Sequence, residues 1–298
     1  MTRHLLDISS LGADTLRHIL DLSVLHDVVA AKPLAGQGVA LIFEKPSNRT
    51  RHSMEMAVVA LGGHPVYTRG EEVGFDVRES VEDIARIMAG YHSVLAARVF
   101  HHSVVERMAA VSQVPVINML SDVAHPLQAL ADIITMEQHV GSIDALTVAW
   151  VGDYNNVARS LGEAVCLLGG TFSIGCPEGY NASVDEISRL QALGGTVRQS
   201  IDPREAVIGA HVVHTDTWIS MGQESEAQER RGIFSKYCVT SELMALAAPD
   251  AKFMHCMPAH RGEEVSAEVM DGSASLVIQQ GHHRLTGARG ALAWVMGK

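Results

Sequence analysis

The stretch that decides the fold runs Leu146-Thr-Val-Ala-Trp-Val-Gly152, Asp153-Tyr-Asn-Asn156, Val157-Ala-Arg-Ser-Leu-Gly-Glu-Ala-Val-Cys-Leu-Leu168, Gly169-Gly170, Thr171-Phe-Ser-Ile-Gly-Cys176. Its first and last segments are short apolar runs, which read as strands. Between them Val157–Leu168 reads as an amphipathic helix stopped by two glycines. Strand, helix and strand on such short connections form a parallel crossover unit.

The same alternation extends both ways. Before this stretch, Val39–Phe43, Val94–Phe100 and Val114–Leu120 read as strands, and Thr50–Leu61, Ser80–Tyr91 and Ser103–Val111 as helices. Ser80 with Asp83 three residues on marks a helix start. After it, His211–Asp216, Lys252–Met257 and Ser275–Gln279 read as strands, and Val184–Leu193 as a helix stopped by Gly194-Gly195. Pro126–His139 is a long helical pattern opening on proline, and Leu285–Met296 is the last helix. The expectation is an α/β protein of two three-layer domains with largely parallel sheets, bridged by interdomain helices. The first domain covers residues 1–140, with a C-terminal helix 284–298 packing back on it, and the second covers 141–283.

Composition agrees. The 298 residues are 47% hydrophobic and 19% charged, enough for two buried cores. No apolar run approaches the ~20 residues of a membrane helix, and the first residues lack the pattern of a signal peptide. A cytoplasmic protein is expected. Four cysteines without a C-x-x-C pair form neither a disulfide framework nor a zinc site. The histidine pairs His101-His102 and His282-His283 are adjacent rather than at i, i+4, so no metal site is expected. A net charge of -11 argues against general nucleic-acid binding. An anionic ligand would need local positive charge against that field.

Ligands of open α/β sheets sit at the carboxyl ends of strands, and the chemically pointed residues fall there. Ser47, Asn48, Arg49 and Thr50 lie at a helix start, where hydroxyls, a guanidinium and free N–H groups favour an anion; a capped helix with a solvated arginine is the plain alternative. No Walker A loop or dinucleotide fingerprint occurs, so no nucleotide cofactor is expected. Arg98 ends an apolar strand, either paired with a buried carboxylate or waiting for an anion. His125 falls at the cap of the Pro126 helix with Gln128 three residues on. In the second half, Asp216-Thr-Trp-Ile-Ser220-Met221-Gly222 and His255-Cys256-Met257-Pro258 close two strands, and Arg284 precedes the final helix.

Four of these motifs, Ser47-x-Arg49-Thr50, His125-Pro126-x-Gln128, Asp216-x-x-x-Ser220-Met221-Gly222 and His255-Cys256-Met257-Pro258, stand in the order and rough spacing of the ornithine carbamoyltransferases. The chain resembles that family from about Leu41 to Arg284, including Gly152-Asp-Tyr-Asn-Asn156. The resemblance implies that Ser47, Asn48 N–H, Arg49 and Thr50 hold the phosphate of carbamoyl phosphate. Arg98 bridges phosphate and carbonyl, His125 and Arg284 contact the carbonyl oxygen, and Gln128 with the backbone at Cys256 and Met257 holds the carbamoyl amide. Asn156 and Met221 bind the ornithine carboxylate, Asp216 and Ser220 its α-amino group, and Cys256 lies by the reacting amine. The resemblance further implies a homotrimer or multiple of trimers, with no cofactor, catalytic metal, nucleic acid or membrane involved.

Two positions depart from the family pattern. Asn48 stands where relatives usually have Thr or Gly. The loop Gly70–Asp76 carries Glu71-Glu72 where relatives often have a glutamine, and a carboxylate beside a phosphate repels it. The alternatives are a carbamoyltransferase for another amine such as putrescine, and an inactive paralogue acting as a binding subunit. Putrescine has no α-amino carboxylate to occupy the Asp216 group, and an inactive paralogue would more naturally have lost Arg49, His125 or Cys256.

Overall fold

The computed structural model describes residues 2–219 and 224–298. The chain divides into two units, Met1–Ala131 with His283–Lys298, and Asp132–His282. Among the described residues each unit holds one parallel sheet.

In the first unit the strands are β1 (Gly38–Phe43), β2 (His64–Arg69), β3 (Val94–Arg98) and β4 (Val116–Leu120), in the order β2-β1-β3-β4. β1 and β3 are apolar and buried along almost their whole length, as parallel strands covered on both faces must be. β2 lies at an edge, where Pro65 removes no ladder hydrogen bond. Leu5 extends the opposite edge, donating to Val116 O at 2.9 Å and accepting from Asn118 N at 2.8 Å. One sheet face buries Ala40, Ile42, Leu95 and Ala97 against Val81, Ile84, Val105 and Met108 of two helices. Truncating a residue such as Ile42 to alanine would cost about 2–5 kcal/mol.

In the second unit β5 (Thr147–Val151), β6 (Thr171–Gly175), β7 (Thr196–Ser200), β8 (Val212–Thr215) and β9 (Lys252–His255) take the order β7-β6-β5-β8-β9. Helix Asn156–Leu167 links β5 to β6 and ends where Gly169 turns at φ 80. The next residue must also be glycine, because a Cβ on Gly170 would lie 2.7 Å from Ile143 O.

Both sheets reverse direction beside their first strand, between β1 and β3 and between β5 and β8. Such a switch point opens a crevice at the carboxyl ends of the two strands. The segments leaving them carry Ser47–Thr50 and Arg98 in one unit, and Asn155, Asn156 and Asp216 in the other.

The expected strand Ser275–Gln279 is not one. Only Ser275 bridges to Phe253, and helix Val277–Val295 begins two residues later. The short apolar run Leu276-Val277-Ile278 fits strand or helix equally, and here membership of the 19-residue helix Val277–Val295 decides it. The edge strands β2 and β7 were not expected; both are half-exposed and carry polar residues, so neither looks like a buried strand.

Candidate active site

The first unit gathers its cluster around Thr50. Ser47 caps helix Asn48–Ala60, its Oγ accepting from Thr50 N at 3.3 Å, with the two hydroxyls 3.0 Å apart. Capping places serine, and the first free N–H groups, at the mouth of the β1/β3 crevice. Arg284 donates from Nη2 to Thr50 Oγ1 at 2.8 Å and from Nη1 to Gln128 Oε1 at 2.6 Å. Arg98 Nη1 lies 3.4 Å from the same Thr50 oxygen. Two guanidiniums therefore converge on one hydroxyl at a helix N-terminus, while Arg49 stands exposed on the first turn.

His125 is buried at the start of helix Pro126–His139, its carbonyl accepting from Gln128 N at 3.0 Å. Burial, then Arg284 and then Arg98, holds its imidazole well below the ordinary histidine range. A neutral ring results, able to donate one N–H without adding charge. The turn before it is fixed by Asn118, whose Nδ2 donates to Leu6 O at 2.9 Å and Ser121 Oγ at 3.1 Å. Burial and the nearby Arg98 also push the Lys45 ammonium down; it lies 4.6 Å over the Phe100 ring.

In the second unit the centre is Asp216, one residue past β8. Its Oδ1 accepts from Thr217 N at 2.8 Å and from the Cys256 thiol at 2.9 Å, and its Oδ2 accepts from Asn155 Nδ2 at 2.8 Å. Asn155 serves twice, since its Oδ1 caps helix Asn156–Leu167 by accepting from Val157 N and Ala158 N at 2.9 and 3.1 Å. Asn156 is the first helical residue. Ser220 and Met221 lie outside the described residues.

Cys256 and Met257 form a turn whose geometry rests on His255. Met257 is left-handed at φ 62, which a non-glycine residue adopts only when its surroundings hold it there. Its N–H donates to His255 Nδ1 at 2.8 Å, and His255 Nε2 faces Glu264 Oε1 at 3.2 Å. Burial pushes the Glu264 carboxyl up, but the His255 and His260 N–H groups outweigh it and hold it below the usual range. Nearby, buried Arg230 donates to Trp218 O at 2.6 Å and pairs with Asp153, steadying the segment after Asp216. Burial outweighs that pairing and raises the Asp153 carboxyl.

Two groups among the described residues bring possible metal-ligand atoms within 4.8 Å of one another, Asp216-His255-Cys256 and His260-Glu263-Glu264. Their donors are already engaged: Asp216 with Cys256, His255 with Met257 and Glu264, and Glu263 with Arg231 at 3.1 Å. Sequence reasoning gave no role to Asn155, Glu264 or Arg230, and named His255 only as part of the Cys256 motif.

Ser47, Asn48, Arg49, Thr50, Arg98, His125, Gln128 and Arg284 thus lie in the first unit, and Asn156, Asp216, Cys256 and Met257 in the second. Comparison with known proteins follows the same division. Residues 3–138 match the family model described as aspartate/ornithine carbamoyltransferase, carbamoyl-P binding domain. Residues 144–295 match the Asp/Orn binding domain of that family. An ornithine carbamoyltransferase of Hyperthermus butylicus is 48% identical over 88% of this chain and 85% of its own. That of Thermus thermophilus is 42% identical over 98% and 96%. Among solved structures, ornithine carbamoyltransferase from Pyrococcus furiosus superposes with a TM-score of 0.95 at 41% identity, covering 99% of this chain and 97% of that one.

Proposed function

The chain belongs to the aspartate/ornithine carbamoyltransferase family, and on that premise we propose that it transfers the carbamoyl group of carbamoyl phosphate to the δ-amine of L-ornithine, giving L-citrulline and phosphate in arginine biosynthesis. The observation that carries the reading is Asp216 and Cys256, hydrogen-bonded at 2.9 Å in the part matching the Asp/Orn binding domain. A carboxylate there suits the α-ammonium of ornithine. Aspartate, with its second carboxylate, calls for cations instead.

In this reading Ser47, Arg49, Thr50 and the N–H of Asn48 receive the phosphate, with Arg98 spanning phosphate and carbonyl. Gln128 takes the carbamoyl amide. The reaction is attack by a neutral amine on the carbamoyl carbon: a C–N bond forms, a tetrahedral oxyanion develops, and the C–O bond to phosphate breaks. Arg98, Arg284 and neutral His125 stabilise the oxyanion, and the helix end with Arg49 stabilises the departing phosphate. An alkylammonium titrates near 10.4, so freeing its amine at pH 7 costs about 4.6 kcal/mol. Asp216 and Cys256 are the groups on the acceptor side able to take the proton that the amine gives up. Asn156, Ser220 and Met221 complete the amino-acid grip.

We place the enzyme in the cytoplasm as a homotrimer or multiple of trimers. All four cysteines are free, as a reducing compartment favours, and no helix of the described residues is long and apolar enough to cross a membrane. Met56 and Val59, one helical turn apart, are half-exposed, and Val66 of β2 and Tyr91 of the same unit are exposed as well; apolar groups so placed suit a subunit contact.

The test is citrulline formation from carbamoyl phosphate, with ornithine, putrescine, N-acetylornithine and aspartate offered in parallel. Turnover with ornithine alone is expected. Turnover of another amine would overturn the acceptor assignment, and silence with all four would favour an inactive paralogue.

A further inference from the structure

β9 is an edge strand, so its outward N–H groups need partners from outside the sheet. The first finds backbone: Phe253 N donates to Ala274 O at 2.9 Å, and Leu276 N returns a bond to Phe253 O at 2.8 Å. The chain then turns into helix Val277–Val295 and no longer runs beside the strand. The next outward N–H, on His255 immediately before Cys256, is taken by a side chain. Gln280 Oε1 accepts it at 2.9 Å.

The other end of that amide is equally committed. Gln280 Nε2 donates to Asp132 Oδ1 at 2.7 Å and lies 3.0 Å from His214 Nε2. Gln280, Asp132, His214 and His255 are all buried. A backbone N–H only donates and a carboxylate oxygen only accepts, so the amide has one possible orientation. His214 Nδ1 lies 3.1 Å from Thr215 O and therefore carries the hydrogen, which leaves Nε2 to accept the second Gln280 N–H. The Trp150 ring, stacked on His214 at 5.2 Å, fixes the imidazole plane. The His255 N–H and both N–H groups of the Gln280 amide thus meet acceptors, with Asp132 Oδ2 also 3.5 Å from His214 Nε2, and buried hydrogen bonds linked in this way rigidify what they touch.

What it touches are the two strand ends that carry the acceptor chemistry. Thr215 and His255 are register partners across β8 and β9, and Asp216 and Cys256 are the residues that follow them. We propose that Gln280 is a positioning residue for carbamoyl transfer: by binding the His255 N–H and the His214 ring with one amide, it sets the separation of Asp216 and Cys256. The inference rests on the function proposed above, in which those two groups serve the amino-acid acceptor.

The test compares Gln280→Met, Gln280→Glu and Gln280→Glu combined with Asp132→Asn. Three quantities are read: kcat and KM for both substrates, melting temperature, and the rate at which iodoacetamide alkylates Cys256, followed on its own peptide. Gln280→Met is expected to lower kcat about tenfold, leave both KM values within about twofold, and change Cys256 alkylation several-fold. Gln280→Glu should do worse, because its second oxygen meets the Asp132 carboxylate. Adding Asp132→Asn supplies a donor from the other side and should recover most of that loss, a rescue that bulk or burial alone would not give. Wild-type kcat and alkylation in Gln280→Met would overturn the proposal. So would a folded double variant no better than Gln280→Glu. If Gln280→Met does not fold, the glutamate pair decides; if the unaltered protein makes no citrulline, the function fails, and alkylation alone still decides whether Gln280 holds the turn.

Discussion

Asp216 accepts three hydrogen bonds, from Thr217 N–H, the Cys256 thiol and Asn155. Asp216→Asn keeps the shape but forfeits the charge and sets an amide against Asn155 or Cys256. We expect kcat with ornithine to fall about 10²–10⁴-fold, the range for loss of a proton-handling group, with KM for carbamoyl phosphate changed little. Steady-state kinetics in both substrates checks this, and equal damage to both would make Asp216 architectural. Arg49→Ala should instead raise the carbamoyl phosphate KM about tenfold or more, since a charge-assisted contact is worth about 1.5–3 kcal/mol; unchanged kinetics would remove Arg49 from the phosphate site. Asp216, Cys256, Arg98 and His125 were legible in the sequence because each is a polar side chain set directly against an apolar run. Asn155 was not. The expected helix starts at Val157, which leaves Asn155 in the loop before it. The backbone instead puts Asn155 at the cap, extended at φ -100 and ψ -173, and only the structure shows its amide reaching Asp216.

At the scale of elements, that amide joins a helix start to the chemistry, and substitution can separate the two. Asn155→Asp keeps an oxygen acceptor for Val157 and Ala158 N–H and adds a negative charge at a helix N-terminus, which is favourable. It also turns a carboxylate toward Asp216. Melting temperature should hold while citrulline formation falls at least tenfold. Asn155→Ala should lose both, with about 1 kcal/mol of the stability loss due to the missing cap. Equal activity in the two variants would mean that the Asn155–Asp216 bond does not matter for turnover. Elements were legible where apolar periodicity was long, as in Pro126–His139 and Asn156–Leu167. They were obscure where burial was one-sided or the run short. β2 reads exposed, intermediate, exposed along His64–Val66, and Ser275–Gln279 has too few residues to show a period.

At the scale of the whole molecule, burial holds three histidines among the described residues below their ordinary value: His4, His92 and, most strongly, His125. In the unfolded chain each titrates near 6.5. Below that pH the unfolded state binds protons that the folded state refuses, so stability is full above about pH 6.5 and falls as pH drops. The fully buried His125 contributes up to about 1.4 kcal/mol per pH unit, and the more exposed His4 and His92 much less. Denaturant midpoints at pH 8, 6.5 and 5.5 should fall in that order, and less steeply in His125→Gln; an equal slope in the variant would clear His125 of the effect. Assembly belongs to this scale too. Met56→Asp should shift the proposed trimer toward smaller species in sedimentation, and an unchanged profile would place the proposed subunit contact elsewhere.

The division of the chain bears on its birth as well as its chemistry. Residues 132–282 form one uninterrupted unit, whereas the other needs segments from both sides of it: Arg289 donates to Ser23 O at 2.6 Å, and Arg284 reaches Thr50. On the ribosome, where domains fold as they emerge, the inner unit is free to finish first. Its host waits, with the Thr50 hydroxyl still lacking Arg284, until residues 283–298 have cleared the exit tunnel.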